Sequence, residues 1–143
     1  LVKLRAYAGD ASAFSALYHC LHAVLRAFAP FVPHVTEEIW QHLFSGQGSI
    51  HARGRWPDHA AYPLDDAAEA HGKAALEVLN AIRKAKSEAG VSIKFPAERV
   101  EVPASLLAAL QPVWEDVKGA GNVTGDVTAG AALTVFLAES EAA

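Results

Sequence analysis

Apolar residues recur at helical spacing near the start of the chain. They form one stripe, and from Ser12 onward this stripe predicts an amphipathic helix. We expect the helix to end at residues 27–29, because the residue before Pro30 is steered away from helical geometry. The stripe consists of Phe14, Leu17, Tyr18, Leu21, Val24, Leu25 and Phe28.

A second apolar stripe follows almost at once and predicts another helix. Thr36 precedes Glu37 and Glu38, and acidic residues suit the positive end of a helix, so we place its start there. Adjacent helical residues point about 100° apart, which argues against a catalytic pair formed by these two carboxylates. Pro30 and Pro33 predict a sharp corner between two helices that pack on one core. The second stripe is Val35, Ile39, Trp40, Leu43 and Phe44.

Residues 45–63 are rich in glycine and proline and predict a long irregular segment. Loops of this length in folded domains tend to be functional or held by their own side chains. We expect Ile50 and Trp56 to anchor this one to the core.

Asp65 and Asp66 then begin a long predicted helix that runs to about Ala89, where Gly90 stops it. Its predicted buried residues are Ala68, Ala75, Leu79, Ile82 and Ala89.

After Gly90 the hydrophobic period changes from helical to alternating. Val100 and Val102 predict one face of a strand. A helix interrupted near Pro112 is predicted over residues 105–118, and two more strands are predicted over residues 122–128 and 131–138. In the last strand, the side that faces the core is predicted to be Leu133, Val135 and Leu137. The expected fold is mainly α with a small α+β tail: a helical bundle over 1–90, then a β-α-β-β unit over 91–143.

Composition narrows the possible functions. The 143 residues suit about one domain, 52% are apolar and 20% charged, and the formal net charge is -4. Free-standing nucleic-acid binders are usually basic overall, so any RNA contact should be local. The single cysteine, Cys20, suits a reducing compartment. No apolar run approaches the roughly 20 residues of a membrane span, so we expect no membrane partner. Because the chain opens with Leu1 and has no methionine, we expect a piece of a longer protein.

Seven histidines and many carboxylates raise the question of a metal or catalytic site. His19 and His22 are three residues apart beside Cys20, and His34 lies four before Glu38, but neither set has a recognised metal spacing. Histidines beside an apolar stripe are ordinarily solvated or hydrogen-bonded. The sequence contains no phosphate-binding loop, dinucleotide-binding turn or nucleophile elbow. We therefore predict no metal site and no catalytic residue.

The segment "AIRKAKSEAG" departs from ordinary amphipathic patterning. Arg83 and Lys86 fall within the predicted apolar arc, whereas Lys84 points away from it. From Arg83 to Arg99 there are five basic and two acidic residues, a local charge of +3 in a chain of charge -4. Two interpretations stay open. The cations either complement the dipole of a helix end and extend past apolar neighbours, or contact RNA phosphates together with Lys94.

A second candidate is "HARGRWP". Arg53 and Arg55 could contact phosphate while Trp56 stacks on a base. The alternative is that the tryptophan anchors the loop. Neither segment shows a base-reading code.

Two stretches resemble a known family. "LRAFAPFVPHVTEEIWQHLF", followed by "GSIHARGRWP", is similar to the anticodon-binding domain of class I aminoacyl-tRNA synthetases with branched aliphatic substrates. In that pattern, H-P-F-x-P-F-x-T-E-E-I-W-Q, Ala29 replaces the common histidine. "IRKAKSEAGVS" resembles I-R-x-x-R-x-E-x-x-V, with Lys86 replacing an arginine. The second stretch, the S-I-H…W-P loop and the ending "GAGNVTGDVTAGAALTVFLAE" most resemble the valine-specific members.

The resemblance implies a function for the longer protein and a role for this chain. The longer protein would be cytoplasmic and would join valine to its tRNA with ATP and Mg²⁺. This chain lacks the family's catalytic signatures H-I-G-H and K-M-S-K-S, so it should be inactive alone and hold no cofactor. Its implied partners are valine tRNA, through the anticodon arm, and the remaining synthetase domains. Two alternatives stay open: a structural module without RNA contact, or the equivalent domain of an isoleucine or leucine enzyme.

Overall fold

Helices occupy the first part of the chain, and strands are interspersed with further helices in the last part. The computed structural model describes residues 1–53, 56, 57, 60, 62 and 64–138. Within these residues, the helices are α1 (Lys3–Tyr7), α2 (Ala11–Phe28), α3 (Pro33–Phe44), α4 (Ile50–Arg53), α5 (Asp66–Glu88), α6 (Ala104–Leu110) and α7 (Trp114–Gly121), and the strands are β1 (Ala97–Val102), β2 (Val127–Ala129) and β3 (Thr134–Leu137). The predicted fold class, mainly α with a small α+β tail, is confirmed. No described helix is both long and apolar enough to cross a membrane.

Contacts within the chain divide it into two units. One unit comprises Leu1–Arg5 with Asp65–Ala143, and the other comprises Ala6–Leu64. In this division α5 groups with the sheet, because its buried side chains share one core cluster with those of β1. The predicted domain boundary at residue 90 stays a prediction.

The corner between α2 and α3 is built as the prolines predict, but α3 begins earlier than expected. Helix α2 ends at Phe28, and Pro33 occupies the first turn of α3, where its missing N–H costs no hydrogen bond. The predicted start at Thr36 is therefore wrong. The Thr36 side chain is buried, and its hydroxyl lies 3.0 Å from the carbonyl oxygen of Val32, so it secures the corner from within the first turn.

The apolar stripe of α2 is largely exposed, which the spacing did not predict. Leu25 is buried, and with Ala29, Trp40, Phe44 and Ile50 it forms the core of this unit. The stripe residues Phe14, Leu17, Tyr18, Val24 and Phe28 are between 43% and 55% exposed. Helix α3 therefore covers only part of the stripe. Periodicity identifies an apolar face but not the element that covers it.

Helix α5 is the central element of the unit that comprises Leu1–Arg5 and Asp65–Ala143. Asp65 caps its start by accepting a hydrogen bond from the amide of Ala68 at 2.9 Å, and Gly90 ends it with a φ of +67°. Both ends agree with the prediction. The buried residues are Ala74, Ala75, Val78, Leu79, Ile82 and Lys86. Ala68 and Ala89, predicted as buried, are exposed, because the contact stripe occupies only the middle and the last turns of the helix.

The sheet has strand order β2-β1-β3, with β1 parallel to β2 and antiparallel to β3. Val100 and Val102 are fully buried, as alternation predicts, and they share a core with α5, α6 and α7. A 3₁₀ turn over Gln111–Val113 separates α6 from α7 at the predicted break near Pro112. The residues predicted to face the core from β3 and just before it, Leu133, Val135 and Leu137, pack against that core.

Gly125, two residues before β2 begins, lies close to β1 and provides a test of this packing. A Cβ added at Gly125 would overlap the carbonyl oxygen of Glu98 in β1. We expect Gly125→Ala to lower the free energy of unfolding by about 2–3 kcal/mol, measured by urea denaturation, because the backbone must move. Gly72, within α5, is the control, since its added Cβ meets nothing within 4 Å. Gly72→Ala should be stabilising by about 0.5–1 kcal/mol. Equal effects at both sites would contradict this packing.

Candidate nucleic-acid interface

Lys86, predicted to contact phosphate, lies inside the fold. Its side chain is 1% exposed, and it is the one buried charged residue among those the structure describes. The ammonium donates hydrogen bonds to the carbonyl oxygen of Ile93 at 3.1 Å and to that of Gly121 at 2.6 Å. Burial lowers the pKa of Lys86, since removal from water disfavours the charged form. The structure therefore places this cation in the interior rather than on a surface that RNA could reach.

Arg83 lies one helical turn before Lys86 and has the opposite environment. It is exposed and forms no hydrogen bond or ion pair with the described residues. The nearby acid Glu88 pairs instead with Lys84, at an N–O distance of 3.8 Å. Arg83 therefore remains available to an anionic ligand.

Lys94 is the second exposed cation of this region, in the connection between α5 and β1. Its side chain has no partner among the described residues, while its backbone is held in place. The side-chain amide of Asn122 donates to the Lys94 carbonyl at 2.5 Å, and the amide of Phe95 donates to the Ser92 carbonyl at 2.8 Å. Lys94 thus combines a free ammonium with a fixed backbone.

The second candidate segment is described only in part. Arg53 is the last residue of α4, and its side chain, like all of Arg55, lies outside the described residues. Trp56 is 63% exposed, so its predicted role as a core anchor is wrong, whereas the predicted anchor Ile50 is only 6% exposed. The exposed Trp56 ring is accessible for stacking, and the guanidinium of Arg26 lies 3.4 Å from its carbonyl oxygen.

Glu37 has a role that the sequence did not predict. One of its carboxylate oxygens accepts hydrogen bonds from the Ser49 hydroxyl at 2.9 Å and from the Ile50 amide at 3.1 Å. The other accepts from the Gln41 side chain at 2.5 Å. The indole of Trp40 donates to the Gly48 carbonyl at 2.8 Å. These contacts fasten residues 48–50 to α3.

The same contacts change the acidity of Glu37. The hydrogen bond from Gln41, and then those from Ser49 and Ile50, hold the pKa of its carboxyl below the ordinary value, against the opposing effect of desolvation. The "TEEIWQ" and "GSI" stretches are therefore complementary halves of one contact. Both stretches occur in the sequence pattern of the family, and that was the one indication that they are connected. No local rule predicts a contact between residues twelve positions apart, such as Glu37 and Ser49.

The histidines considered as metal ligands do not form a site in the described part of the chain, where no group of three or more potential ligands could hold a metal ion. His22 instead packs among aromatic rings, with its ring centroid 5.0 Å from that of Trp40 and 5.3 Å from that of Phe44. Burial, followed by the nearby charge of Arg26, lowers the pKa of His22. His22 is therefore a partly buried residue that packs beside the core of the α2–α3 corner.

The contacts of Glu37 predict a pH-dependent stability. Because its folded-state pKa lies below the unfolded value, its contribution is present above about pH 4.5 and is lost as pH falls through the folded pKa. We expect Glu37→Gln to lower the melting temperature at pH 7 and to flatten its decrease between pH 5 and about pH 3. Glu38→Gln is the matched control, since Glu38 is exposed and its side chain pairs with His42 alone among the residues that the structure describes. A Glu37 variant whose melting curve follows that of the Glu38 variant at every pH would contradict the assignment.

Comparison with known proteins identifies the family of this chain. The family model described as the anticodon-binding domain of tRNA ligase matches residues 1–102. A valine–tRNA ligase of Anaplasma marginale is 41% identical over 123 residues, covering 82% of this chain and 15% of that protein. Those of Rickettsia conorii and Wolbachia pipientis are 39% and 38% identical over 81% and 74% of this chain. The chain thus spans about one seventh of the length of the first of these relatives. It belongs to the family of anticodon-binding domains of tRNA ligases.

Proposed function

We propose that this chain is the part of a valine–tRNA ligase that binds and positions the anticodon arm of valine tRNA. The observation that carries the proposal is its identity of about 40% to ligases named for valine, over about four fifths of its length. The valine-specific relatives also favour this enzyme over an isoleucine or leucine enzyme. The longer protein would act in the cytoplasm, where the free, exposed Cys20 fits a reducing environment.

Two cations of the α5–β1 region support the proposal of RNA binding. Arg83 and Lys94 are exposed and have no anionic partner among the described residues. Cations of this kind bind phosphate with release of counterions from the nucleic acid, which makes affinity dependent on salt. Because the whole chain carries a charge of -4, contact should be confined to such local surfaces. Recognition would then rest on the shape and backbone of the anticodon arm rather than on a code of base contacts.

A structural module that contacts no RNA is the second candidate, and two observations favour it. Lys86 is occupied by backbone carbonyls inside the fold. Glu37 and Trp40, from the most recognisable stretch of sequence, fasten a loop rather than project toward a ligand. Under this alternative, the chain would brace other parts of the longer protein.

The chemistry of the longer protein would take place elsewhere in it. The proposed reaction joins valine to tRNA with ATP and Mg²⁺. The described residues contain no cluster of acidic or histidine ligands that fits a metal ion, and the chain has neither catalytic signature of the family. We therefore assign no catalytic step to this chain and expect it alone to form no aminoacyl-tRNA.

Salt dependence separates the two candidates. We expect Arg83→Ala to weaken binding of transcribed valine tRNA about two- to fivefold, because one exposed charge contact is lost. The slope of log affinity against log salt should fall by about 0.7–0.9, the contribution of one phosphate contact. Lys84→Ala is the matched control: it removes the same charge from the next residue, but this lysine already pairs with Glu88.

Each outcome of this titration has a defined meaning. Tighter binding of valine tRNA than of a non-cognate tRNA would indicate that discriminating contacts lie within the chain. Identical slopes for the Arg83 variant and the unmodified protein would remove Arg83 from the interface. Absence of binding even at low salt would favour the structural module.

A further inference from the structure

The ammonium of Lys86 occupies a junction where two helices end. The chain turns out of α5 at Gly90, with a φ of +67°, and out of α7 at Asn122, with a φ of +49°. In both, the chain turns back, so that the amide of Val91 donates to the Lys86 carbonyl and that of Val123 to the Lys118 carbonyl. The last carbonyls of a helix lack intrahelical partners and carry its negative end. A cation at this junction therefore meets a favourable electrostatic environment.

Gly121 makes the short contact with Lys86 possible. A Cβ at this position would lie 2.9 Å from the Cδ1 atom of Ile82 and 3.3 Å from the Cγ2 atom of Val123. The absence of a side chain thus allows the end of α7 to approach α5 closely. That approach brings the Gly121 carbonyl within 2.6 Å of the Lys86 ammonium.

The connection of residues 91–96 is held at two successive carbonyls. Lys86 binds the carbonyl of Ile93 from inside, and the Asn122 side chain binds that of Lys94. The amide of Ala97 then donates to the Asn122 carbonyl at 2.9 Å, at the start of β1. While the backbone is restrained, the side chains of Ile93 and Lys94 are exposed.

We infer that Lys86 is a positioning residue, whose buried ammonium fixes the backbone from which Lys94 reaches RNA phosphate. This inference rests on the proposed RNA-binding function. Lys86 would not touch RNA, but would hold the Ile93 carbonyl against the end of α7 and so limit the positions available to the Lys94 side chain. Pre-organisation of this kind increases affinity by reducing the ordering required on binding.

The inference distinguishes two replacements of Lys86. Methionine fills a similar volume but donates no hydrogen bond, so Lys86→Met would leave two carbonyls without their partner. Arginine keeps the charge and offers several donors, so Lys86→Arg should retain the link. Lys84→Met is the matched control, because it removes an exposed lysine two residues away whose one polar partner among the described residues is Glu88.

The experiment combines two measurements on the 143-residue chain. Hydrogen exchange at the amides of Lys94 and Phe95, which donate to the Ser92 hydroxyl and carbonyl, reports the restraint of the backbone. Titration with transcribed valine tRNA reports its consequence. In Lys86→Met we expect exchange at these amides to rise about tenfold, while the amides of β1 that pair with β3 remain protected. Its tRNA affinity should fall, but no further than that of Lys94→Ala, and the double variant should bind no more weakly than Lys94→Ala. Lys86→Arg should restore most of both properties.

Two results would separate failure of this inference from failure of the proposed function. If Lys94→Ala weakens tRNA binding but Lys86→Met behaves like Lys84→Met in both measurements, the positioning role is overturned and the RNA-binding function stands. If exchange rises in Lys86→Met while Lys94→Ala binds tRNA like the unmodified chain, the proposed RNA contact fails and the inference built on it is overturned.

A second variant keeps the test decisive if Lys86→Met does not fold. Asn122→Gly tolerates the positive φ and removes only the side-chain hydrogen bond to the Lys94 carbonyl. It should raise exchange at the amides of Lys94 and Phe95 and weaken tRNA binding without loss of the core. If the Asn122→Gly variant folds and shows faster exchange in the 91–96 connection, but binds tRNA as the unmodified chain does, the claim that backbone restraint positions Lys94 is overturned.

Discussion

A buried lysine ammonium shared by two backbone carbonyls holds together the part of the molecule on which the functional proposal depends. Burial of a charge is costly unless hydrogen bonds compensate it. Lys86 meets this condition at the junction of two helix ends, where it joins the connection after α5 to the end of α7. The close approach of α5 and α7 that Gly121 allows, the course of residues 91–96 and the entry into β1 all meet at this junction. Because Lys86 is bound at this junction, other cations of the basic segment 83–99 must supply any contact with a ligand.

Some polar residues of the family pattern thus hydrogen-bond to the backbone of neighbouring segments, whereas others are exposed to solvent. Glu37 and Trp40 fasten residues 48–50 to α3, and Lys86 fastens residue 93 to α7. Arg83 and Lys94 remain exposed, without anionic partners among the described residues. A domain of negative net charge can therefore still offer a local cationic surface. On this account, polar contacts in the interior set the geometry, and a small number of surface charges supply the affinity for RNA.

Local signals predicted the features that depend on neighbouring residues. The cap at Asp65, the stop at Gly90, the break near Pro112 and the alternation through Val100 are of this kind, and the structure confirms them. Features that depend on distant contacts were missed. The helical pattern placed Lys86 within the apolar arc, but only the carbonyls of residues 93 and 121 show why a cation is accommodated there. Likewise, the exposure of the α2 stripe and the contacts of Glu37 with residues 49 and 50 could be predicted only by knowing which elements pack together.

Competitive chemical labelling of lysines, read by mass spectrometry with and without valine tRNA, tests the central claim most directly. The account predicts that Lys86 resists acetylation in both states, because it is buried and held by two carbonyls. Lys84 and Lys94 should react readily in the free protein, and tRNA should protect Lys94 but not Lys84. Modification of Lys86 at the rate of Lys84, or protection by tRNA that is equal at Lys84 and Lys94, would contradict the division between an interior positioning cation and a surface contact.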